Sequence, residues 1–151
     1  MAKYSFQEYD SKSMVRVSGK HLPISLKTTS EVMKFIKGRK VNQAITLLEQ
    51  VRDAKIAVPF LKYKRDVPHR KGKMSIGRYP KKVSEHTIML LNLIKANAKD
   101  KGLDEETLSI IHAAAQQGPN LWHYGRQRRR LRKVCSIELV AQKTKEKTKK
   151  W

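Results

Sequence analysis

The chain has 151 residues, with 34 Lys and Arg against 13 Asp and Glu, a formal net charge of +21. That length suits one domain with a sizeable buried core, and a hydrophobic fraction of 39% lies above the disordered regime. A lone cysteine, Cys135, excludes an intramolecular disulfide and a cysteine-based zinc site. No run of 18 apolar residues reads as a membrane span, and Met1–Ser5 does not read as a signal peptide, so a soluble, intracellular, reduced protein is expected. So large a charge works against a compact monomer through self-repulsion, and a polyanionic partner is the natural resolution: nucleic acid or an anionic membrane surface.

Residues 1–60 carry 11 basic and 5 acidic side chains. Within them Ile24-Ser25-Leu26 reads as a short strand. Thr28-Thr29-Ser30-Glu31 has the capping-box pattern and predicts a helix through Val32, Phe35 and Ile36, ended by Gly38. Asn42 is expected to cap a second helix with Val41, Ala44, Ile45, Leu48 and Val51 along one face. Residues 61–82 then hold nine basic side chains and one acidic. They show neither helical nor strand period, and read as a long loop that orders on RNA through Lys62, Lys64, Arg65, His69, Arg70, Lys71, Lys73, Arg78, Lys81 and Lys82.

Residues 83–107 reverse the sign, with three basic and five acidic side chains. Ile88, Leu91, Ile94 and Ala98, flanked by Leu90 and Leu93, predict an amphipathic helix with a wide buried face, capped by Ser84 and stopped at Gly102. After the acidic turn Asp104-Glu105-Glu106, Leu108–Ala113 reads as a strand. Cys135, Ile137, Leu139 and Ala141 alternate with Ser136, Glu138, Val140 and Gln142 as a second strand. Between them lie Gly118-Pro119, Gly125 and six basic residues in positions 126–133. Pairing Gln117–Tyr124 with Gly125–Arg132 predicts a projecting ribbon of roughly 20 Å, its tip formed by Asn120, Leu121, Trp122, His123, Tyr124 and Gly125. A two-stranded ribbon without a backing layer is marginal in water, so it is expected to order only when docked on RNA. Lys143–Lys150 forms a lysine-rich tail ending in Trp151.

Arginine outnumbers lysine five to one among Arg126, Arg128, Arg129, Arg130, Arg132 and Lys133. That bias favours planar, bidentate contacts to phosphate over mere solubility. Trp122, His123 and Tyr124 suit stacking on unpaired bases, the alternative being packing of the tip on itself. Tyr79 either stacks or closes a turn over the third helix. No enzyme is indicated. The five histidines lack metal-ligand spacing, His112 reads as a packed or hydrogen-bonded strand residue, the acidic turn as a cap and loop, and Cys135 as core. No cofactor, metal or small-molecule substrate is expected. Membrane binding lacks a basic amphipathic helix with an aromatic stripe.

Gly38-Arg39-Lys40-Val41-Asn42-Gln43-Ala44, followed by Ile45, Leu47 and Leu48, resembles the GKKV-x-A helix start of the universal large-subunit ribosomal protein twenty-two family, numbered seventeen in eukaryotes. Val58-Pro59-Phe60 and Gly77-Arg78-Tyr79-Pro80-Lys81-Lys82 resemble its archaeal and eukaryotic branch. Gly125-Arg126 and Ser136-Ile137 resemble its hairpin. The likeness covers about residues 12–142. Its tip departs from the family pattern, with only Asn120–Tyr124 between Pro119 and Gly125 and with Gln127 in place of a small residue. The resemblance implies an α+β fold: three helices packed on a small three-stranded antiparallel sheet, in a single domain, with a protruding β-hairpin. It also implies a cytoplasmic, ribosome-bound protein that binds large-subunit RNA, touches neighbouring ribosomal proteins, supports assembly and lines the peptide exit tunnel, where the tip meets the nascent chain. The two basic extensions would enter separate crevices of the RNA. A free-standing RNA chaperone or regulator is the rival reading.

Overall fold

The computed structural model describes residues 4–72 and 74–143. Its elements are β1 (Met14–Leu22), α1 (Leu26–Ile36), α2 (Val41–Arg52), β2 (Val58–Pro59), β3 (Gly77–Arg78), α3 (Lys81–Asp100), β4 (Leu108–Gln117) and β5 (Cys135–Lys143). The strands β1, β5 and β4 form an antiparallel sheet in that order, and β2 and β3 make a separate two-stranded one. The three helices pack on one face of the larger sheet, so the expected α+β architecture is what the chain adopts.

The core follows from the apolar periodicities. On β5 the inward side chains Cys135, Ile137, Leu139 and Ala141 are fully buried against helix residues such as Val32, Ile36, Leu48, Leu91 and Ile94. The outward side is covered too, which the alternation did not announce. The N-terminal segment crosses the back of the sheet, where the amide and hydroxyl of Ser5 donate to Glu138 Oε2 at 2.9 and 2.6 Å. Phe6 leans on His112 with ring centroids 5.4 Å apart. Val140 and Glu138 are buried beneath this segment. Beside it Tyr4 and Tyr9 sandwich the Arg16 guanidinium at 4.6 and 4.3 Å. Lys101 Nζ donates to Tyr9 Oη, Ser11 O and Met14 O, which uses all three of its protons.

Several boundaries differ from expectation, some through a tertiary contact and some through a local backbone constraint. Ile24-Ser25-Leu26 is no strand; the third strand is β1, and the chain passes through Ile24 directly into α1. The capping box at Thr28–Glu31 is not formed: α1 begins at Leu26 with Ser25 as an N-cap that makes no side-chain bond, and Glu31 faces inward. Asn42 lies inside α2, which starts at Val41. The chain ahead of it is held against β4 by Gly38 N–H to Ile110 O and Ile110 N–H to Arg39 O, so a backbone bridge sets the start. Ser84 is likewise interior and buried, because α3 begins at Lys81 after Pro80, whose φ is preset for entering a helix. Leu93, expected to flank the buried face of α3, is exposed instead. Gly102 does end α3: at φ +68° it lets the Gly102 and Leu103 amides reach back to Lys99 O and Ala98 O. The acidic turn is a 3₁₀ turn in which Glu105 binds Lys95 and Lys99 at 3.2 and 2.9 Å. Lys143 belongs to β5, not the tail, and its ammonium meets Asp104 at 3.1 Å. The remainder of the tail, 144–151, lies outside the described residues.

Beyond the Gln117–Cys135 pair the β4–β5 ladder continues only as Gly118 N–H to Val134 O, Arg132 N–H to Leu121 O and His123 N–H to Arg130 O, with a single bridge between Trp122 and Leu131. Amide hydrogen exchange on the free protein is therefore expected to be fast across 119–133 and slow across 86–98. Equal protection in the two stretches would show that the ribbon is stable without a partner.

Candidate nucleic-acid interface

The basic loop is not structureless. Its base is the β2–β3 pair, Val58 opposite Arg78 and Pro59 opposite Gly77, and it folds back on itself through the His69–Ile76 bridge and Arg70 N–H to Ser75 O. Its approach is anchored by Glu31, only 1% exposed on α1. The Glu31 carboxylate accepts the amides of Lys62 (2.8 Å) and Tyr63 (3.1 Å) on Oε1 and of Leu61 (3.2 Å) on Oε2. Three successive amides closing on one anion form a backbone nest. Burial pushes the Glu31 carboxyl up, but those amides, with Lys34 nearby, outweigh it and hold its pKa below the ordinary 4.5.

Of the loop's cations, Lys62, Lys64, Arg65 and Lys71 are exposed, and Arg65 meets only the equally exposed Asp66 at 3.6 Å, a contact worth little. Arg70 and Arg78 are partly consumed by the loop itself. Arg70 Nε donates to Gly77 O while its guanidinium lies 5.0 Å from the Tyr79 ring; Arg78 donates to Asp66 O at 3.0 Å. Tyr79 thus stacks under Arg70. His69 contributes through its backbone bridge, and Lys73 lies outside the described residues. Lys81 and Lys82 are exposed in the first turn of α3, which holds no acidic side chain. Cations there oppose the helix dipole by about 0.3–1 kcal/mol each, a local cost that a bound anion would reverse.

In the hairpin the register differs from expectation. Trp122 lies opposite Leu131 and His123 bonds to Arg130, so the turn is made by Tyr124–Arg129, with a 3₁₀ turn at Gly125–Gln127. Asn120, Leu121, Trp122 and His123 belong to the outgoing arm; of the expected tip, only Tyr124 and Gly125 are at the turn. Gly118 sets this course, since a Cβ there would stand 2.5 Å from Val134 Cγ1, within the atoms of the returning strand. Arg126, Arg128, Arg129, Arg130, Arg132 and Lys133 are all exposed, and among the described residues none forms an ion pair. Trp122 and Tyr124 are 59% and 83% exposed, Tyr124 with the Arg132 guanidinium 5.6 Å from its ring. The tip aromatics therefore leave most of their surface free.

Loop and hairpin root meet in one open groove of about 700 Å³, lined by Lys62, Lys64, Arg65 and Arg78 on one side and Arg132 and Lys133 on the other. Ser25–Thr28, the uncapped N-terminal turn of α1, forms its floor. The two basic segments thus share a surface at their roots; Arg70, Lys71, Lys81, Lys82 and the cluster Arg126–Arg130 lie outside it. Lys27 is a groove cation that sequence reasoning missed. It falls between what read as a strand, Ile24-Ser25-Leu26, and the helix expected from Thr28, and its signal was a lysine in a helical first turn without acid. A smaller hollow of about 340 Å³ gathers Lys34, Lys37 and Arg39, also missed, because cations at a helix end ordinarily serve the dipole.

Ser5, His112 and Glu138 stand together, yet Ser5 Oγ sits between the other two, 2.6 Å from Glu138 Oε2 and 3.1 Å from His112 Nε2. The carboxylate thus holds the serine rather than orienting the imidazole, unlike a hydrolytic relay. Burial, Lys37 and, opposing them, Glu138 leave the His112 pKa below its ordinary value. Burial raises that of Cys135, a core thiol. Among the described residues no cluster of His, Cys, Asp or Glu could hold a metal, and no helix is long and apolar enough to cross a membrane.

A small α+β protein whose exposed cations converge on one groove and one hairpin presents a strongly cationic surface. The family model described as ribosomal protein L22p/L17e matches residues 17–142, and the chain belongs to that family. It is 38% identical over 146 residues to the large ribosomal subunit protein uL22 of Archaeoglobus fulgidus, covering 92% of this chain and 94% of that one. It is 35% identical over 147 residues to the uL22 of Staphylothermus marinus, covering 91% and 94%. To that of Methanoregula boonei it is 36% identical over 149 residues, covering 93% and 97%.

Glu31→Gln keeps the shape of the anchor but removes its charge and turns an NH₂ toward backbone donors. It is expected to cost about 1–3 kcal/mol in urea unfolding at pH 7. Because the folded pKa is depressed, the wild-type contribution is complete above 4.5 and is lost as pH falls through the folded value, so the two proteins should converge in stability on acidification. Equal stability at pH 7 would show that the carboxylate does not hold the loop.

Proposed function

We propose that this protein is a structural component of the large ribosomal subunit that binds large-subunit ribosomal RNA and supports its assembly, ribosome-bound in the cytoplasm. The observation that carries the reading is the shared groove. Cations from two segments far apart in sequence line it, among the described residues only Arg65 meeting a carboxylate and that one exposed, beside an uncapped helix N-terminus, and phosphate oxygens are the ligand that suits all of these groups together. Membership of the family and relatives named as large-subunit proteins support the placement.

The groove would take the RNA backbone through Lys27, Lys62, Lys64, Arg65, Arg78, Arg132 and Lys133. Beyond it, Lys71, Lys81 and Lys82 would meet further phosphates, Arg70 and His69 keeping the loop in shape; Lys73 is proposed from its sequence position alone. Arg126, Arg128, Arg129 and Arg130 would fix the hairpin, with Trp122 and Tyr124 stacking on unpaired bases. Reaching from the globular part, the hairpin would contribute to the wall of the polypeptide exit tunnel. The turn at Tyr124–Arg129, rather than Asn120–His123, would then stand nearest the nascent chain.

Stoichiometric co-migration with large subunits through a high-salt wash is the expected behaviour, and recovery mainly at the top of the gradient would refute it in favour of a free-standing RNA-binding regulator. Replacing Arg128, Arg129, Arg130 and Arg132 with Ala should weaken binding to large-subunit RNA fragments. It should also flatten the plot of log K against log salt, by about 0.7–0.9 for each phosphate that is no longer neutralised. An unchanged slope would place those side chains in solvent.

A further inference from the structure

The exposed face of α3 combines few cations with an apolar centre. Glu85, Met89, Asn92, Leu93, Ala96 and Asp100 recur at three-, four- and one-residue spacing along it, and all six are exposed. At 34 Lys and Arg in 151 residues, six positions would carry more than one cation on average, and surface positions more still. This stripe carries none. The neighbouring lysines Lys95 and Lys99 are drawn aside onto Glu105. At the centre Met89 and Leu93, one turn apart, are 63% and 51% exposed, and at the ends Glu85 and Asp100 have no ion-pair partner among the described residues.

Single exposed apolar residues need no explanation. An apolar pair centred between unpartnered carboxylates, on a protein of net charge +21, has a specific complement. RNA is disfavoured there, because its phosphates would face Glu85 and Asp100 with no cation between them, and an anionic lipid surface is disfavoured for the same reason. We propose that the outer face of α3 docks a Lys/Arg-rich protein segment of a neighbouring subunit protein. That segment would set one or two apolar side chains on Met89 and Leu93 and basic side chains toward Glu85 and Asp100. The carboxylates stand about 22 Å apart along the helix, which fits a short helix or strand with a cation on either side of an apolar centre. The protein thus has two faces, a cationic one for nucleic acid and a neutral-to-acidic one for basic protein. The second rests on the proposed place in the large subunit but not on any particular RNA contact.

The test is photo-crosslinking from full-length chains assembled into large subunits and purified through the salt wash, with p-benzoylphenylalanine replacing Leu93 in one chain and Tyr63, in the RNA groove, in another. The expected product from position 93 is a protein–protein crosslink to a peptide with an apolar residue and Lys or Arg within a few positions of the attachment point. Introducing Glu85→Lys and Asp100→Lys together should cut its yield about fivefold, the scale of a rim charge contribution. Crosslinking from position 93 to RNA, to a second copy of this chain, to an acidic segment or to nothing would overturn the proposal, as would a yield indifferent to the charge reversal. Chains that fail to enter subunits would remove the assembly reading and this inference together. RNA crosslinks from position 63 with none to protein from position 93 would remove the inference alone.

Discussion

Keeping a dense set of cations ordered without neutralising them is the physical constraint on this fold, and at the basic loop it is met by Glu31. A carboxylate buried alone would cost several kcal/mol. Here it receives three backbone amides, each such charge-assisted bond contributing about 1.5–3 kcal/mol. Because the donors are the amides of Leu61, Lys62 and Tyr63, the anchor uses none of the ammonium and guanidinium groups of Lys62, Lys64 and Arg65, which stay exposed. A salt bridge would have held the loop by neutralising the charge it is there to present. Residues 61–63, where this carboxylate holds them, bring Lys62 and Lys64 to the groove opposite the hairpin root, while Arg78 is set there by its pairing with Val58 and its bond to Asp66 O.

The remaining charge is arranged on the same lines. Carboxylates are concentrated where the protein must fold on its own: Glu105 on Lys95 and Lys99, Asp104 on Lys143, Glu138 beneath the N-terminal segment. Lys27, Lys81 and Lys82 sit in first turns with no acid beside them, against the helix dipole. Rules of local stability broken without compensation inside the chain are the mark of a site completed by something outside it. The arginine hairpin, held by three backbone bonds and presenting Trp122 and Tyr124 to solvent, has the same character.

Elements with strong periodicity were legible because burial enforces it. Ile88, Leu91, Ile94 and Ala98 mark α3, and Cys135–Ala141 marks β5, since a shifted register would put their apolar side chains in water. Where no face is buried, the pattern carries no such penalty. The hairpin arms bury neither side, Leu121, Trp122 and Leu131 being exposed, so their pairing rested on loop length alone, and the true turn lies further along the chain. β1 escaped notice because its run from Met14 to Leu22 is interrupted by Arg16, Gly19 and Lys20. Gly19 is there for Leu90, whose Cδ1 would be 3.0 Å from a Cβ at that position, a neighbour far away in sequence.

Capping residues failed as signals for a related reason. Thr28, Asn42 and Ser84 each have the right chemistry, but the starts of α1, α2 and α3 are set by Ser25, the Lys40–Ser109 bridge and Pro80. A cap contributes about 1 kcal/mol, less than the packing and backbone pairing that compete with it. Composition and periodicity by themselves marked the three helices, the two long strands β4 and β5, the apolar core and which segments carry the charge, because each depends on the chain's own residues taken locally; the α+β arrangement of those elements was what the family resemblance implied. Only the tertiary structure decided that Glu31 is an anchor, that Lys27 joins the loop and the hairpin root around one groove, and that Leu93 faces outward. Each of those depends on which distant residue arrives opposite, and that is settled when the helices close on the sheet.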